Sequence, residues 1–235
     1  MRPRVPAGTR IYAVGDIHGR ADLLKSLLAR IDSDLESNPI EQPIQVFLGD
    51  YIDRGPASRE VLNQLIARTR THKTVCLKGN HEIFALEFFD SPAIFDDWRR
   101  WGGIETLISY GVAPAGIIGA EECEKLASAL KEAMPSEHQA FLARLSLSYT
   151  CGDFFFVHAG VRPRVKLDSQ DEHDLIWIRD EFLNSEFNFG KIVVHGHTPV
   201  REPDVRPNRI NIDTGAYVTG KLTCLIIEDE NLFFI

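Results

Sequence analysis

Short apolar runs recur along this chain, and each is closed by a glycine and a polar residue. The run Thr9 to Val14 predicts a strand that breaks at Gly15-Asp16-Ile17-His18-Gly19. Leu23, Leu24, Leu27, Leu28 and Ile31 then fall on one face of a helix. Ser33 to Pro43 is polar and contains two prolines, which predicts a loop returning to the sheet. A second strand, Ile44 to Leu48, leads through Gly49-Asp50-Tyr51-Ile52-Asp53-Arg54-Gly55-Pro56 into another helical pattern. There Ser58 is the expected N-cap, and Val61, Leu62, Leu65 and Ile66 point inward. Lys73 to Lys78 predicts a third strand, ending at Gly79-Asn80-His81-Glu82. Successive βα units of this kind predict a sheet with helices on its faces.

The pattern changes over residues 83–147, which predict a helical cap or insertion. Its aromatic residues, among them Phe84, Phe88, Phe95, Trp98 and Trp101, are expected to pack against the sheet, with a substrate-selecting rim as the alternative. Glu121 to Ala133 is amphipathic, and Ser136-Glu137-His138-Gln139 has the form of a capping box. Strand patterns resume at Leu147, with Phe154 to Val157 and Ile192 to Val194. Arg209 to Asp213, Lys221 to Glu228 and Leu232 to Ile235 are expected as closing, antiparallel strands. The whole chain, 1–235, thus predicts a single α/β domain.

Composition narrows the function classes. A net charge of −8 disfavours a nucleic-acid groove, since phosphate backbones are held by basic surfaces. Cys76, Cys123, Cys151 and Cys224 are scattered without paired spacing, which suits buried thiols in a reducing cytoplasm. Met1 to Gly8 has no apolar stretch behind it, so no secretory signal is expected. No run approaches the roughly 18 apolar residues of a membrane span. His72, His138 and His173 lie away from strand ends and are expected at the surface.

One regularity outweighs the others. Separate apolar strands end in Asp16 and His18, in Asp50, in Asn80 and His81, in His158, and in His197. In open α/β sheets, ligands gather beyond the carboxyl ends of the strands. Acids at the mouth of a core strand need a cation, base or anion-satisfying partner, because burying a lone charge is costly. A set of oxygen and imidazole donors without thiolate selects Mn, Fe or Zn over a structural zinc site. Asp16, His18 and Asp50 could hold one ion, and Asp50, Asn80, His158 and His197 a second, with Asp50 shared. Neither G-x-G-x-x-G nor G-x-x-x-x-G-K-[ST] occurs, which argues against a nucleotide-binding phosphate loop.

Gly15-Asp16-Ile17-His18-Gly19, Gly49 to Gly55, Gly79-Asn80-His81-Glu82, His158-Ala159-Gly160 and Gly196-His197-Thr198-Pro199 resemble the motifs of the calcineurin-like metallophosphoesterases. More narrowly they resemble the phosphoprotein phosphatase family, especially its compact bacterial and phage members. The resemblance implies an αββα sandwich of two mixed sheets flanked by helices, around a dinuclear centre of divalent ions, Mn²⁺ first, with Fe or Zn as alternatives. It implies hydroxide attack in line on phosphorus, Asp53 and His81 as a catalytic pair, and Arg54 and Arg179 as phosphate-binding residues, with Asn80 beside them. The expected substrate is a phosphorylated protein, on Ser or Thr, or a small phosphomonoester. The alternative enzyme is a dinucleoside polyphosphate hydrolase, whose kind typically carries Ala where this chain has Asp53. A scaffold that only binds phosphorylated partners is a more remote alternative. By register the ligand is the histidine after Gly196, so His197 is preferred to His195.

Overall fold

The computed structural model describes residues 2–115 and 119–235. Positions 116–118 of the expected helical stretch lie outside the described residues. The chain opens with β1 (Thr9–Val14), α1 (Ala21–Ser37), β2 (Gln42–Phe47), α2 (Ser58–Thr71), β3 (Thr74–Cys76) and α3 (Asn80–Phe88). Short helices follow: α4 (Phe95–Trp98), α5 (Gly103–Ser109), α6 (Ala120–Ala133) and α7 (Ser136–Ala143). The second half runs β4 (Ser148–Cys151), β5 (Phe154–Val157), α8 (Glu172–Trp177), α9 (Asp180–Leu183), β6 (Ile192–His195), β7 (Asp204–Val205), β8 (Arg209–Asn211), α10 (Ala216–Thr219), β9 (Cys224–Glu228) and β10 (Asn231–Phe234).

Two mixed sheets result, in the orders β10-β9-β1-β2-β3 and β4-β5-β6-β8-β7. Alternation along the strands explains how they stack. Ile11, Ala13, Val46 and Leu48 from one sheet meet Phe154, Phe156, Val194 and Ile210 from the other in a shared apolar layer. The opposite face of β1 and β2 carries Tyr12, Val14 and Phe47, which pack under α1, α2 and the helices between β3 and β4. The opposite face of β5 and β6 carries Phe155, Val157 and Val193 against Leu175, Ile176 and Phe182 of α8 and α9. Both faces are covered, so these strands read as near-continuous apolar runs. The expected αββα sandwich is the observed architecture.

Several local expectations are corrected. Residues 33–37 continue α1, because Asp34 is drawn inward by Tyr12 and by the buried Arg10 guanidinium, 3.2 Å away. Pro43 lies inside β2, at a level that β3 does not reach, so its missing N–H leaves no ladder bond broken. Ala57, not Ser58, is the N-cap of α2, since the Ser58 hydroxyl is engaged with the Asp53 turn. The expected capping box at Ser136 does not form: Pro135 occupies the cap position, and no side chain caps α7. Of the closing strands, β9 and β10 are antiparallel, but β8 runs parallel to β6. His138 is not at the surface; it is buried between Tyr110 and Asn63, and His72 is half-buried beside Asp32.

Candidate active site

Three parallel strands of each sheet, β1-β2-β3 and β5-β6-β8, point their carboxyl ends to the same edge of the sandwich. Every strand-end residue singled out by pattern arrives there. Asp16, His18, Asp50, Asn80, His81, His158 and His197 are all buried, as is Asp53. The two sheets are tied together at this point, where the His197 N–H donates to Asp16 Oδ2 at 3.0 Å, while within the second sheet the Gly196 N–H donates to the His158 carbonyl at 2.8 Å.

Tight exits from the strands make this convergence possible. His18, Asp50, Asp53, Arg54 and His197 all have positive φ, between 46° and 70°. Such backbone costs about 1–3 kcal/mol per residue and persists only where its surroundings over-determine it. Glycine lets chain approach carboxylate: a Cβ on Gly79 would sit 2.1 Å from Asp50 Oδ1, and one on Gly196 2.0 Å from Asp16 Oδ1. Glu82 locks the turns from below. Its carboxylate accepts from the N–H groups of Asp50, Tyr51 and Gly79 at 2.8–3.0 Å. Burial and the Asp50 charge push the Glu82 carboxyl up to about 7 against those donors.

Asp50 lies at the centre. Its Oδ2 is 3.5 Å from His18 Nε2 and 3.7 Å from His81 Nε2, and its Oδ1 is 3.4 Å from His158 Nε2. His158 Nε2 also lies 3.1 Å from Asn80 Oδ1 and 3.2 Å from His197 Nδ1. The other nitrogens of His18 and His158 are committed, donating to the carbonyls of Ile52 and Leu48. Their Nε2 lone pairs are therefore aimed into the cluster, as metal ligation requires. Burial holds His18, His158 and His197 below the ordinary imidazole value, His197 down to about 2, so these rings stay neutral.

The carboxylates show what the cluster lacks within the protein itself. Asp16 Oδ1 is buried without a hydrogen-bond partner among the described residues. Burial first, then the charges of Asp213 and Asp50, push the Asp16 carboxyl well above its ordinary range. Asp213 is pushed up to about 6, chiefly by burial. Crowded acids with an orphaned oxygen, facing neutral imidazoles, fit divalent cations. Side chains whose ligand atoms lie close enough to share an ion form two groups with Asp50 in common, His18, Asp50 and His81, and Asp50, His158 and His197, with Asp16 outside both.

Around this floor the groups differ in kind. His81 Nδ1 is 2.7 Å from Asp53 Oδ2. Burial lowers the His81 pKa, but Asp50 and Asp53 outweigh it and hold it above the ordinary value. Arg54 is half-buried; its guanidinium lies over the Tyr217 ring at 4.7 Å, with one nitrogen 3.3 Å from His81 Nε2. Arg179 is more exposed and reaches the cluster through His197, Nε to Nε2 3.0 Å. His195 points to the other face of its strand, where it packs against Phe182 with ring centroids 4.9 Å apart. His173 is exposed.

Sequence reasoning missed Asp213, Tyr217 and Thr106 as members of this neighbourhood, and it read Trp98 as a packing or rim aromatic, whereas Trp98 is buried with its indole N–H on Asp53. Asp213 follows β8 and is followed by Gly215, the same strand-end signature read elsewhere, so it was legible. Trp98 in α4 and Thr106 in α5 carry no local signal of their contacts with Asp53.

Fold and cluster together define a metallophosphoesterase hydrolase. The chain belongs to the calcineurin-like phosphoesterase family, whose model matches residues 9–224. It is 27% identical to the bis(5′-nucleosyl)-tetraphosphatase (asymmetrical) PrpE of Anoxybacillus flavithermus, covering 90% of this chain and 88% of that protein. It is 29% identical to the serine/threonine-protein phosphatase 2 of Escherichia coli, over 91% and 90% of the two chains. Among solved structures, a cold-active protein tyrosine phosphatase superposes with a TM-score of 0.66 at 19% identity, over 98% of this chain and 78% of that one. Among the described residues, no helix is long and apolar enough to cross a membrane.

Proposed function

We propose that this chain is a metal-dependent phosphomonoesterase acting on phosphoserine and phosphothreonine in peptides and proteins. Asp16, His18, Asp50, Asn80, His158 and His197 would hold two divalent ions, Mn²⁺ first among them, with Asp50 common to both. Such ions supply Lewis acidity, neutralising phosphoryl oxygens and making water nucleophilic near neutral pH. The side chains do the rest. Arg54 and Arg179 bind phosphoryl oxygens through charge-assisted hydrogen bonds. As the new P–O bond forms in line, the ester P–O bond breaks, and the departing oxygen takes a proton from His81 Nε2. Asp53 holds the ring through Nδ1 and favours its protonated form.

The observation that carries this reading is the buried Asp53–His81 pair, 2.7 Å apart, with His81 held above its ordinary pKa. A serine or threonine oxygen is a strongly basic leaving group that needs a proton as it departs. A nucleoside polyphosphate leaves as a weakly basic phosphate and needs far less help. A held acid therefore favours the alkyl monoester.

The second reading is asymmetric cleavage of a bis(5′-nucleosyl) tetraphosphate. It is favoured by likeness to PrpE along nearly the whole chain. The deciding measurement is kcat/KM at one pH and Mn²⁺ concentration. The substrates are a phosphoserine peptide, a phosphothreonine peptide, 4-nitrophenyl phosphate and diadenosine tetraphosphate. Faster turnover of the monoesters is expected. Preference for the dinucleotide by about tenfold, equivalent to 1.4 kcal/mol, would replace the first reading with the second.

A further inference from the structure

The helical insertion is bound to the same turn that carries Asp53 and Arg54. Asp53 is fully buried, and all of its hydrogen bonds can be assigned. Oδ2 accepts from the Trp98 indole N–H at 2.8 Å, besides its 2.7 Å contact with His81. Oδ1 lies 2.6 Å from Thr106 Oγ1. The Asp53 N–H points at both Thr106 Oγ1, 2.9 Å, and Ser58 Oγ, 3.1 Å, and those two hydroxyls are 3.0 Å apart.

With the Asp53 carboxylate as acceptor, these distances allow one self-consistent set of protons. An indole N–H can only donate. Thr106 gives its hydroxyl proton to Asp53 Oδ1, so it accepts from Asp53 N–H and from Ser58. Both Asp53 oxygens are then fixed as acceptors, and the proton between Asp53 and His81 sits on Nδ1. That holds the Nδ1 proton in place and fixes the orientation of the ring, so the proton the ring can give up when doubly protonated is the one on Nε2, toward the cluster. The same insertion grips the next residue: the Gly102 carbonyl accepts from the Arg54 N–H at 3.0 Å. Gly102 has φ 96°, and a Cβ there would lie 2.6 Å from Arg54 N.

We infer that Trp98 and Thr106 are positioning residues of the catalytic pair, so the insertion acts as a clamp that orients His81 through Asp53; this rests on the phosphomonoesterase reading above. Neither side chain touches the metal cluster or the phosphoryl site. Each acts only by holding the carboxylate that holds the imidazole. Their loss should therefore appear where leaving-group protonation limits the rate and much less where it does not.

The test compares metal-reconstituted wild type with Trp98→Phe, Thr106→Val and Thr106→Ser on a phosphoserine peptide and on 4-nitrophenyl phosphate. Trp98→Phe and Thr106→Val should lower kcat on the peptide about tenfold more than on the aryl ester, a part of the 10²–10⁴ ascribed to a general acid. KM should stay within about twofold, and Thr106→Ser, which keeps the hydroxyl, should restore the wild-type ratio. Equal losses on both substrates, a change confined to KM, or no rescue by serine would overturn the clamp. A second measurement needs no turnover: the His81 Nδ1–H resonance of ¹⁵N-histidine-labelled protein should shift or broaden in Trp98→Phe and Thr106→Val and be retained in Thr106→Ser. An unmoved resonance in all variants overturns the inference even if the enzyme proves to prefer another substrate. A wild type inactive on both esters, with the resonance moving as expected, fails only the functional reading.

Discussion

Asp50 is surrounded by imidazoles on both sides of its carboxylate, and its backbone sits at φ 51°, a conformation held by Glu82 from beneath. His81 Nε2 faces both Asp50, at 3.7 Å, and Arg54, at 3.3 Å. Unlike His18 and His158, which burial keeps neutral, His81 is held above its ordinary pKa by Asp50 and Asp53, and that suits a proton donor better than a ligand. His81→Asn should lower kcat on a phosphoserine peptide by about 10²–10⁴. The loss should be smaller on 4-nitrophenyl phosphate, and metal content by elemental analysis should equal wild type. A variant that loses metal along with activity would make His81 a ligand instead.

Between elements, the helices between β3 and β4 are joined to the βα core by polar contacts as well as by apolar packing, Phe88, Phe95 and Trp98 sharing one cluster with Tyr51, Val61 and Leu65. His138 in α7 is one such joint. Its Nδ1 is 2.7 Å from the Tyr110 hydroxyl after α5, and its Nε2 is 2.9 Å from Asn63 Oδ1 in α2. The neutral ring satisfies both, donating from Nε2 and accepting at Nδ1. Burial and the nearby Arg59 charge lower its pKa from the ordinary 6.5. The unfolded chain therefore takes up this proton more readily than the folded one. The contribution is complete above pH 6.5 and is lost as pH falls below that value toward the folded pKa. Between about pH 7.5 and pH 5.5, wild type should lose more thermal stability than His138→Gln, at equal metal loading. Parallel losses in the two proteins would remove His138 from this role.

At the scale of the whole molecule, both sheets are exposed to the same electrostatic problem at one edge. Asp16, Asp50 and Asp213 converge there from β1, β2 and β8, and among the described residues Asp16 Oδ1 has no hydrogen-bond partner. A ligand that binds only the folded arrangement stabilises it by mass action, about 2.7 kcal/mol at a hundredfold excess over Kd. For a chain of this size that corresponds to a rise in Tm of roughly 5–10 °C on adding Mn²⁺ to chelator-treated protein. Activity should return with it, and Asp50→Asn should lose both effects. A Tm indifferent to metal in the wild type would mean that the cluster binds no ion tightly.

The alternation of apolar and polar residues was enough to determine the βα units, the helical stretch between the two halves and the residues at each strand end. Those are local properties: a strand buried on both faces must be apolar throughout, and the residues that leave it at a tight turn are few and polar. The same logic would have found Asp213, which closes β8 as Asp16 follows β1. Tertiary structure decided everything that depends on two distant segments meeting. Whether β8 ran parallel to β6 depended on where the crossover through β7 placed it, not on its own residues. His138 carries no sign of burial in its own helix, because the groups that enclose it come from α2 and from the end of α5. Trp98 reads as one aromatic among several, and its hydrogen bond to Asp53 spans 45 positions of sequence. Pattern reports what a segment needs covered; only the packed chain determines which residue covers it.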